Sequence, residues 1–144
     1  MNCFKEAEYV LYNYPKLRTA LNNLKTRKSQ LIHISAPSDK TSAGITPIGT
    51  NSVNVNNTYK DLTELAQTVA NISITENKVN EIETLLNELS DEERTIIQLW
   101  YFQQMEKENI LEHLNISSLD CLYKKRKMAV NDFAVLYFGA IALS

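Results

Sequence analysis

Apolar residues recur at steps of three and four along most of this chain, a spacing that predicts helices. Phe4, Ala7, Val10 and Leu11 mark the first, over residues 3–13. Pro15 would break a helix there. A proline is tolerated as the first residue of a new helix, where its missing N–H costs nothing, so a second helix is expected from Pro15 to about Ile34. Val10, Tyr14, Leu17, Leu21, Leu24, Lys28 and Leu31 carry one stripe across the junction. The stripe resumes at Leu62, Leu65, Val69, Ile72, Val79, Ile82, Leu86 and Leu89, with Glu76 filling its middle position. This predicts a long helix from Tyr59 to Leu89 with a coiled-coil-like seam over about four heptads. At ~1.5 Å per residue it is roughly 45 Å long. The seam needs a partner. The 16–34 helix, roughly 28 Å by the same rise, is the nearest, packed antiparallel. The uncovered part is left to the N-terminal helix or to a second subunit.

Between the stripes the pattern fails. Residues 35–58 are Ser, Thr, Asn, Gly and Pro with isolated Ile and Val, and they hold Pro37, Gly44, Pro47 and Gly49. Structureless loops of this length are uncommon inside compact domains, so a flexible tip or linker is expected. After the long helix, Ser90-Asp91-Glu92-Glu93 is a capping box, in which Ser90 caps and Glu93 reaches back. It opens a helix to about Gln103, apolar at Ile96, Ile97, Leu99, Trp100 and Phe102. The expected organisation is N-terminal helices (1–34), flexible loop (35–58), long pairing helix (59–89) and a helix-turn-helix domain (90–144). The fold class is all-α: a long helical hairpin joined to that C-terminal domain.

The most informative stretch is Ile110 to Ala129. Ile110 and Leu114 face the core from a short helix. Asn115 stands where the turn needs a left-handed residue, which Asn tolerates best after Gly. Ile116 plugs the turn, and Ser117 or Ser118 caps the next helix. On that helix, about 118–133, Leu122, Ala129, Phe133 and Leu136 define the buried stripe. Asp120, Lys124, Lys127 and Asn131 lie opposite, with Tyr123 and Met128 on the flanks. Lys125 and Arg126 lie nearer the core face and must snorkel outward to reach phosphates. A second helix with a basic run is how a helix-turn-helix reads when that helix enters the DNA major groove. Lys and Arg neutralise phosphates there, while Ser118, Asp120 and Tyr123 are placed for base edges.

Composition tempers this reading. The 144 residues carry a formal charge of −2, where nucleic-acid-binding domains are often strongly basic. Lys124, Lys125, Arg126 and Lys127 are consecutive, whereas Asp91, Glu92, Glu93, Glu106, Glu108 and Glu112 lie upstream. The local field matters more than the sum, so modest affinity, or a dimer, is expected. Only three glycines and three prolines argue against a turn-rich β fold. Cys3 and Cys121 form no metal or disulfide pattern, and Cys121 is read as a small packing residue. No apolar run spans a bilayer and no signal peptide is visible, which fits the cytoplasm. Phe138 to Leu143 is expected to fold back onto the core.

From Leu89 to Gly139 the chain resembles the fourth conserved region of bacterial sigma factors, on Leu89 to Ile97, Trp100-Tyr101-Phe102 and the helix-turn-helix. Ser118 to Ala129, followed by Phe133-Ala134, more narrowly resembles the ArpU and RinA type of phage late-gene transcriptional regulators. Leu11 to Leu17 and the long helix are similar to the front half of such proteins. The resemblance implies DNA binding upstream of phage genes in a bacterial host, with RNA polymerase as a second candidate partner. The chain departs from it in Cys121 and in an acidic first motif helix, which leaves Lys107 as that helix's phosphate contact.

Other constellations offer little. His33 and His113 are far apart without carboxylates at metal spacing, and no phosphate loop or nucleophile triad is present. Tyr9, Tyr12 and Tyr14 are read as packing a helix junction. The expectation is therefore a non-enzymatic, sequence-specific DNA-binding regulator of phage or prophage genes. It acts as a homodimer on double-stranded DNA, without metal, cofactor or membrane. Its DNA contacts are Lys107, Ser117, Ser118, Asp120, Tyr123, Lys124, Arg126, Lys127 and Asn131. The alternatives are a small-terminase-like DNA-packaging subunit, which would form a ring, and a module that grips RNA polymerase without touching DNA.

Overall fold

The computed structural model describes residues 1–35 and 48–144, with side chains at 1–34 and 58–144. The fold is all-α, and among the described residues there is no strand. Helix α1 runs unbroken over Cys3–Ser35 with Pro15 inside it, so the break expected at Pro15 does not occur. An interior proline removes a donor and crowds the carbonyl four residues back, at a cost of ~3 kcal/mol. Leu11 and Tyr14, on the turn around it, are both buried in one core, and that packing carries the helix through. Helix α2 covers Ile48–Glu88. It therefore starts inside the stretch expected to be loop, of which residues 36–47 lie outside the described residues.

The chain forms two compact units: Met1–Arg18 with Lys78–Ser144, and Thr19–Asn77. Helices α1 and α2 contribute to both.

In the first unit, Ala7, Leu11 and Tyr14 of α1 meet Val79, Ile82 and Leu86 of α2. The two helices thus pair within one chain. Two more helices, α3 (Asp91–Ile97) and α5 (Leu119–Phe138), complete the core, and α4 (Lys107–Leu114) lies between them in the chain. Ile97, Tyr101, Ala129, Val130, Phe133 and Ala134 close it. Each large side chain so buried stabilises by about 1.5–3 kcal/mol. A smaller cluster of Leu99, Ile110 and Leu122 lies beneath α4.

The joint between α2 and α3 has a clear cause. Ser90 and Glu93 form the expected capping box. Arg94 then donates to the Leu86, Asn87 and Leu89 carbonyls at 3.1, 3.3 and 3.1 Å, which supplies donors for the orphan acceptors of the α2 terminus. The helix expected to run to Gln103 changes pitch instead. After Ile97 it widens into a π turn over Gln98–Phe102. Regular pitch cannot aim Ile96, Ile97, Leu99 and Tyr101 inward together, yet all four are buried. The wider turn brings Tyr101 to the interior.

On α5 the buried stripe is Leu122, Ala129, Val130, Phe133 and Ala134. Leu136, expected within it, is 42% exposed, because the stripe runs from Phe133 to the half-buried Tyr137. Helix α5 ends at Gly139, whose φ of 75° and ψ of −149° suit glycine alone. A 3-10 turn over Gly139–Leu143 follows. Ala142 packs on the core, while Ile141 and Leu143 stay exposed.

The second unit is thinner. Leu21 and Leu31 of α1 are buried, with Leu24 and Lys28 half-buried, as the stripe predicted. On α2 the buried positions are Thr68, Ile72 and Thr75. The expected seam through Leu62, Val69 and Glu76 is therefore off by one residue. Heptad spacing extended back from Val79, Ile82, Leu86 and Leu89 falls on Thr75 and Thr68. Leu62 and Val69 stand 47% and 44% exposed.

Candidate nucleic-acid interface

The turn between α4 and α5 is built as its residue types require. Asn115 is left-handed, with φ 54° and ψ 41°. The Ile116 N–H donates to the Leu111 carbonyl at 3.0 Å, which closes the end of α4. Ile116 and Leu111 pack on the cluster of Leu99, Ile110 and Leu122, so Leu111 finds room between the helices. Of the two candidate caps, Ser118 is the one used. It is extended and accepts from the Cys121 N–H at 3.2 Å. Removing such a cap costs about 1 kcal/mol.

This start sets the phase of α5. Asp120, Lys124, Lys127 and Asn131 are exposed along one side, and Ser117 and Ser118 are exposed before it. These six form a continuous polar face. Met128, 64% exposed, borders it.

Arg126 and Tyr123, also expected at that face, point elsewhere. Arg126 falls in the buried stripe, between Leu122 and Ala129, and turns inward. It pairs with Glu8 of α1 at 3.1 Å, and both side chains are only about a fifth to a quarter exposed. Its guanidinium lies 4.7 Å from the Trp100 ring and 5.7 Å from Phe4. The Tyr101 hydroxyl donates to the same Glu8 carboxylate at 2.8 Å, and burial pushes that phenol well above its ordinary range. Arg126 is thus a core strut, and its placement at the DNA face is corrected. Lys125 pairs with Glu92, which raises its pKa. Tyr123 is half-buried, edge-on to Trp100 at 5.9 Å. Lys107 lies over both rings, at 5.4 Å from Trp100 and 5.3 Å from Tyr123, though its side chain remains exposed.

Sequence reasoning missed the partners of this arrangement. Nothing near Glu8 marks it as the counter-ion of a residue 118 positions away. It also missed a carboxyl pair. Hydrogen bonding to Glu93, with burial second, raises Asp132 to about 6. Burial alone would raise Glu93, but its bonds with Asp132 and Ser90 outweigh that and hold it below its ordinary value. The tyrosines of α1 divide. Tyr14 is buried and donates to Glu83 at 2.5 Å, Tyr12 meets Tyr101 edge-on at 4.7 Å, and Tyr9 is exposed.

Among the described residues, no group of three or more His, Cys, Asp or Glu is placed to hold a metal ion. No helix among them is long and apolar enough to cross a membrane. No curated protein and no solved structure matches the chain. A family model does match, over residues 37–134, a span that takes in α2 to α4 and most of α5. On that match the chain belongs to the family described as Protein of unknown function (DUF1492).

Proposed function

We propose that this protein is a sequence-specific DNA-binding transcriptional regulator of phage or prophage genes, acting in the bacterial host cytoplasm as a homodimer. The observation that carries this reading is the outer face of α5. A left-handed Asn115 and a Ser118 cap set a helix whose exposed side bears Asp120, Lys124, Lys127 and Asn131. Lys124 and Lys127 neutralise phosphates, and Ser117, Ser118, Asp120 and Asn131 meet base edges or sugar oxygens. Lys107 adds a phosphate contact from α4. Tyr123 supports the face from behind, and Arg126 braces the helix against α1.

With Arg126 turned inward and Lys125 paired with Glu92 at the surface, this face offers few free cations, so a lone protomer binds weakly. Pairing two protomers converts two weak contacts into one strong one. Gel-shift titration against phage promoter DNA tests the reading. Lys124→Ala with Lys127→Ala is expected to weaken the shift at least tenfold and to lower the log–log salt slope by about 1.8, since each phosphate contact contributes about 0.9. Undiminished binding by that variant overturns it. Co-purification with RNA polymerase and no shift on any DNA would favour a polymerase-binding module instead.

A further inference from the structure

Within the unit Thr19–Asn77, the buried side of α2 mixes apolar and polar residues, Ile72 lying between two threonines, while several larger apolar residues face outward. Two threonines, Thr68 and Thr75, are buried in its seam with α1. The large apolar side chains Tyr59, Leu62, Val69 and Ile74 are 69%, 47%, 44% and 70% exposed. At about 100° per residue, Tyr59, Leu62, Ala66, Val69, Ala70 and Ile74 share one broad arc, and all six are exposed. Thr63 and Ser73 fill its gaps. The charged residues of that stretch, Lys60, Asp61 and Glu64, project from the other sides of the helix. The result is a charge-free, largely apolar face about four turns long.

We infer that a second copy of this chain docks on this face, α2 against α2 in antiparallel orientation about a two-fold axis near Ala66. The inference rests on the dimeric regulator proposed above and names the surface that joins its protomers. Three observations select a second copy as the occupant. First, the face is uncharged, so it meets its own image without like-charge repulsion, whereas a partner of opposite charge has nothing on it to attract.

Second, its order of sizes is self-complementary. Antiparallel pairing sets Tyr59 against the second copy's Ile74 and Leu62 against its Val69 and Ala70. Ala66 then meets Ala66 where the helices cross, and small residues allow the closest approach there. Third, the apolar surface is concentrated on α2. The outward residues of α1 from Asn22 to Gln30, namely Asn22, Asn23, Thr26, Ser29 and Gln30, are polar and exposed, and its exposed Ile32 and Ile34 lie in its last turn. A single self-complementary patch gives a closed pair rather than a filament. Burying it supplies the apolar area that the threonine-containing seam lacks.

The test uses the full chain in light scattering and sedimentation, with circular dichroism as the folding control. The wild type is expected to be a dimer. Leu62→Glu with Val69→Glu is expected to be a monomer of unchanged helix content, with DNA affinity reduced at least tenfold. A second measurement does not depend on disruption. In a Cys3→Ser, Cys121→Ser background, Ala66→Cys is expected to form an intermolecular disulfide on mild oxidation, because Cα atoms roughly 4.4–6.8 Å apart can be bridged. Thr26→Cys on the polar face of α1 is expected not to.

A wild type that stays monomeric, a dimer that survives the double glutamate change, or equal cross-linking at both positions overturns the inference. The Lys124→Ala, Lys127→Ala variant separates it from the DNA reading, because that protein is expected to bind DNA more weakly and remain a dimer. A dimer that cross-links through Ala66→Cys yet ignores all DNA supports the interface and overturns the DNA reading instead.

Discussion

The same two helices, with the same heptad spacing, build both units of this protein, yet the units differ in what they bury. In Met1–Arg18 with Lys78–Ser144, the α1–α2 seam holds Leu11, Tyr14, Val79, Ile82 and Leu86, and α5 adds Ala129, Val130 and Phe133 to the same core. In Thr19–Asn77 the α2 side of the seam holds Ile72 between two threonines, while Tyr59, Leu62, Val69 and Ile74 face outward. Two helices alone bury one stripe each. A stable core needs a further layer, which the first unit has from α3 and α5. The second unit lacks one among the described residues. Periodicity shows that a helix has an inner face, and the number of layers decides how apolar that face must be.

The largest expected effect is in the first unit. Phe133→Ala removes a fully buried ring and is expected to cost about 3–5 kcal/mol in urea unfolding. Ile72→Ala, in the thinner unit, is expected to cost about 2 kcal/mol or less, at the low end for buried aliphatics. Equal costs would break the contrast between the units.

Next comes the strut. Glu8→Ala leaves Arg126 beside Trp100 without its carboxylate, and a loss of about 1–3 kcal/mol is expected. Pairing it with Arg126→Met is expected to recover part of that loss, because the unpaired guanidinium is removed while the buried Tyr101 hydroxyl stays without its acceptor. A double variant as unstable as Glu8→Ala would show that Arg126 packs rather than pairs.

A smaller effect of opposite sign is expected in the second unit. Thr68→Val keeps the shape of a buried seam residue and removes its hydroxyl. Slower amide exchange over α2 near residue 68, by up to about 1 kcal/mol, is expected. Unchanged or faster exchange would mean that the hydroxyl is well satisfied where it is.

The smallest effect concerns the carboxyl pair that links α3 to α5. A folded-state pKa raised to about 6 means that the folded protein holds the Asp132 proton more tightly than the unfolded chain. That contribution is present in full below the ordinary carboxylate range and is lost as pH rises through about 6. Glu93, held low, works in the opposite sense, and its contribution is lost as pH falls through its lowered value. Asp132→Asn is expected to flatten the stability profile around pH 6, by less than about 1 kcal/mol because the residue is exposed. A profile that keeps its step would place the titration elsewhere.

Local chemistry was legible in the sequence wherever a residue type has one structural use. Asn115 is left-handed, one of the serines Ser117 and Ser118 caps α5, and Ser90 with Glu93 forms a capping box. The polar side of α5 follows from that cap, so Asp120, Lys124, Lys127 and Asn131 stood where periodicity placed them. Legibility failed where two answers were one residue apart. Val69 and Thr68 are neighbours, and hydrophobicity favoured the wrong one, because the seam is phased by the strong residues from Val79 to Leu89. It failed also at Pro15, where a local rule was outweighed by packing on both sides.

The sequence by itself determined the all-α class, the capping box of α3 and the turn before α5, because the cap and the turn depend on residues within a few positions of one another. It also determined which lysines of α5 are free, since one helical turn separates Lys124 from Lys127 and both lie opposite Leu122 and Ala129. Only the tertiary structure decided the fate of Arg126. Its partner Glu8 lies near the far end of the chain, and an ion pair across that separation leaves no local mark. Only the tertiary structure decided, too, that a π turn brings Tyr101 into the core and that α2 keeps Thr68 and Thr75 inside and Leu62 outside. Those choices are set by how many layers surround a helix, a property of the folded whole.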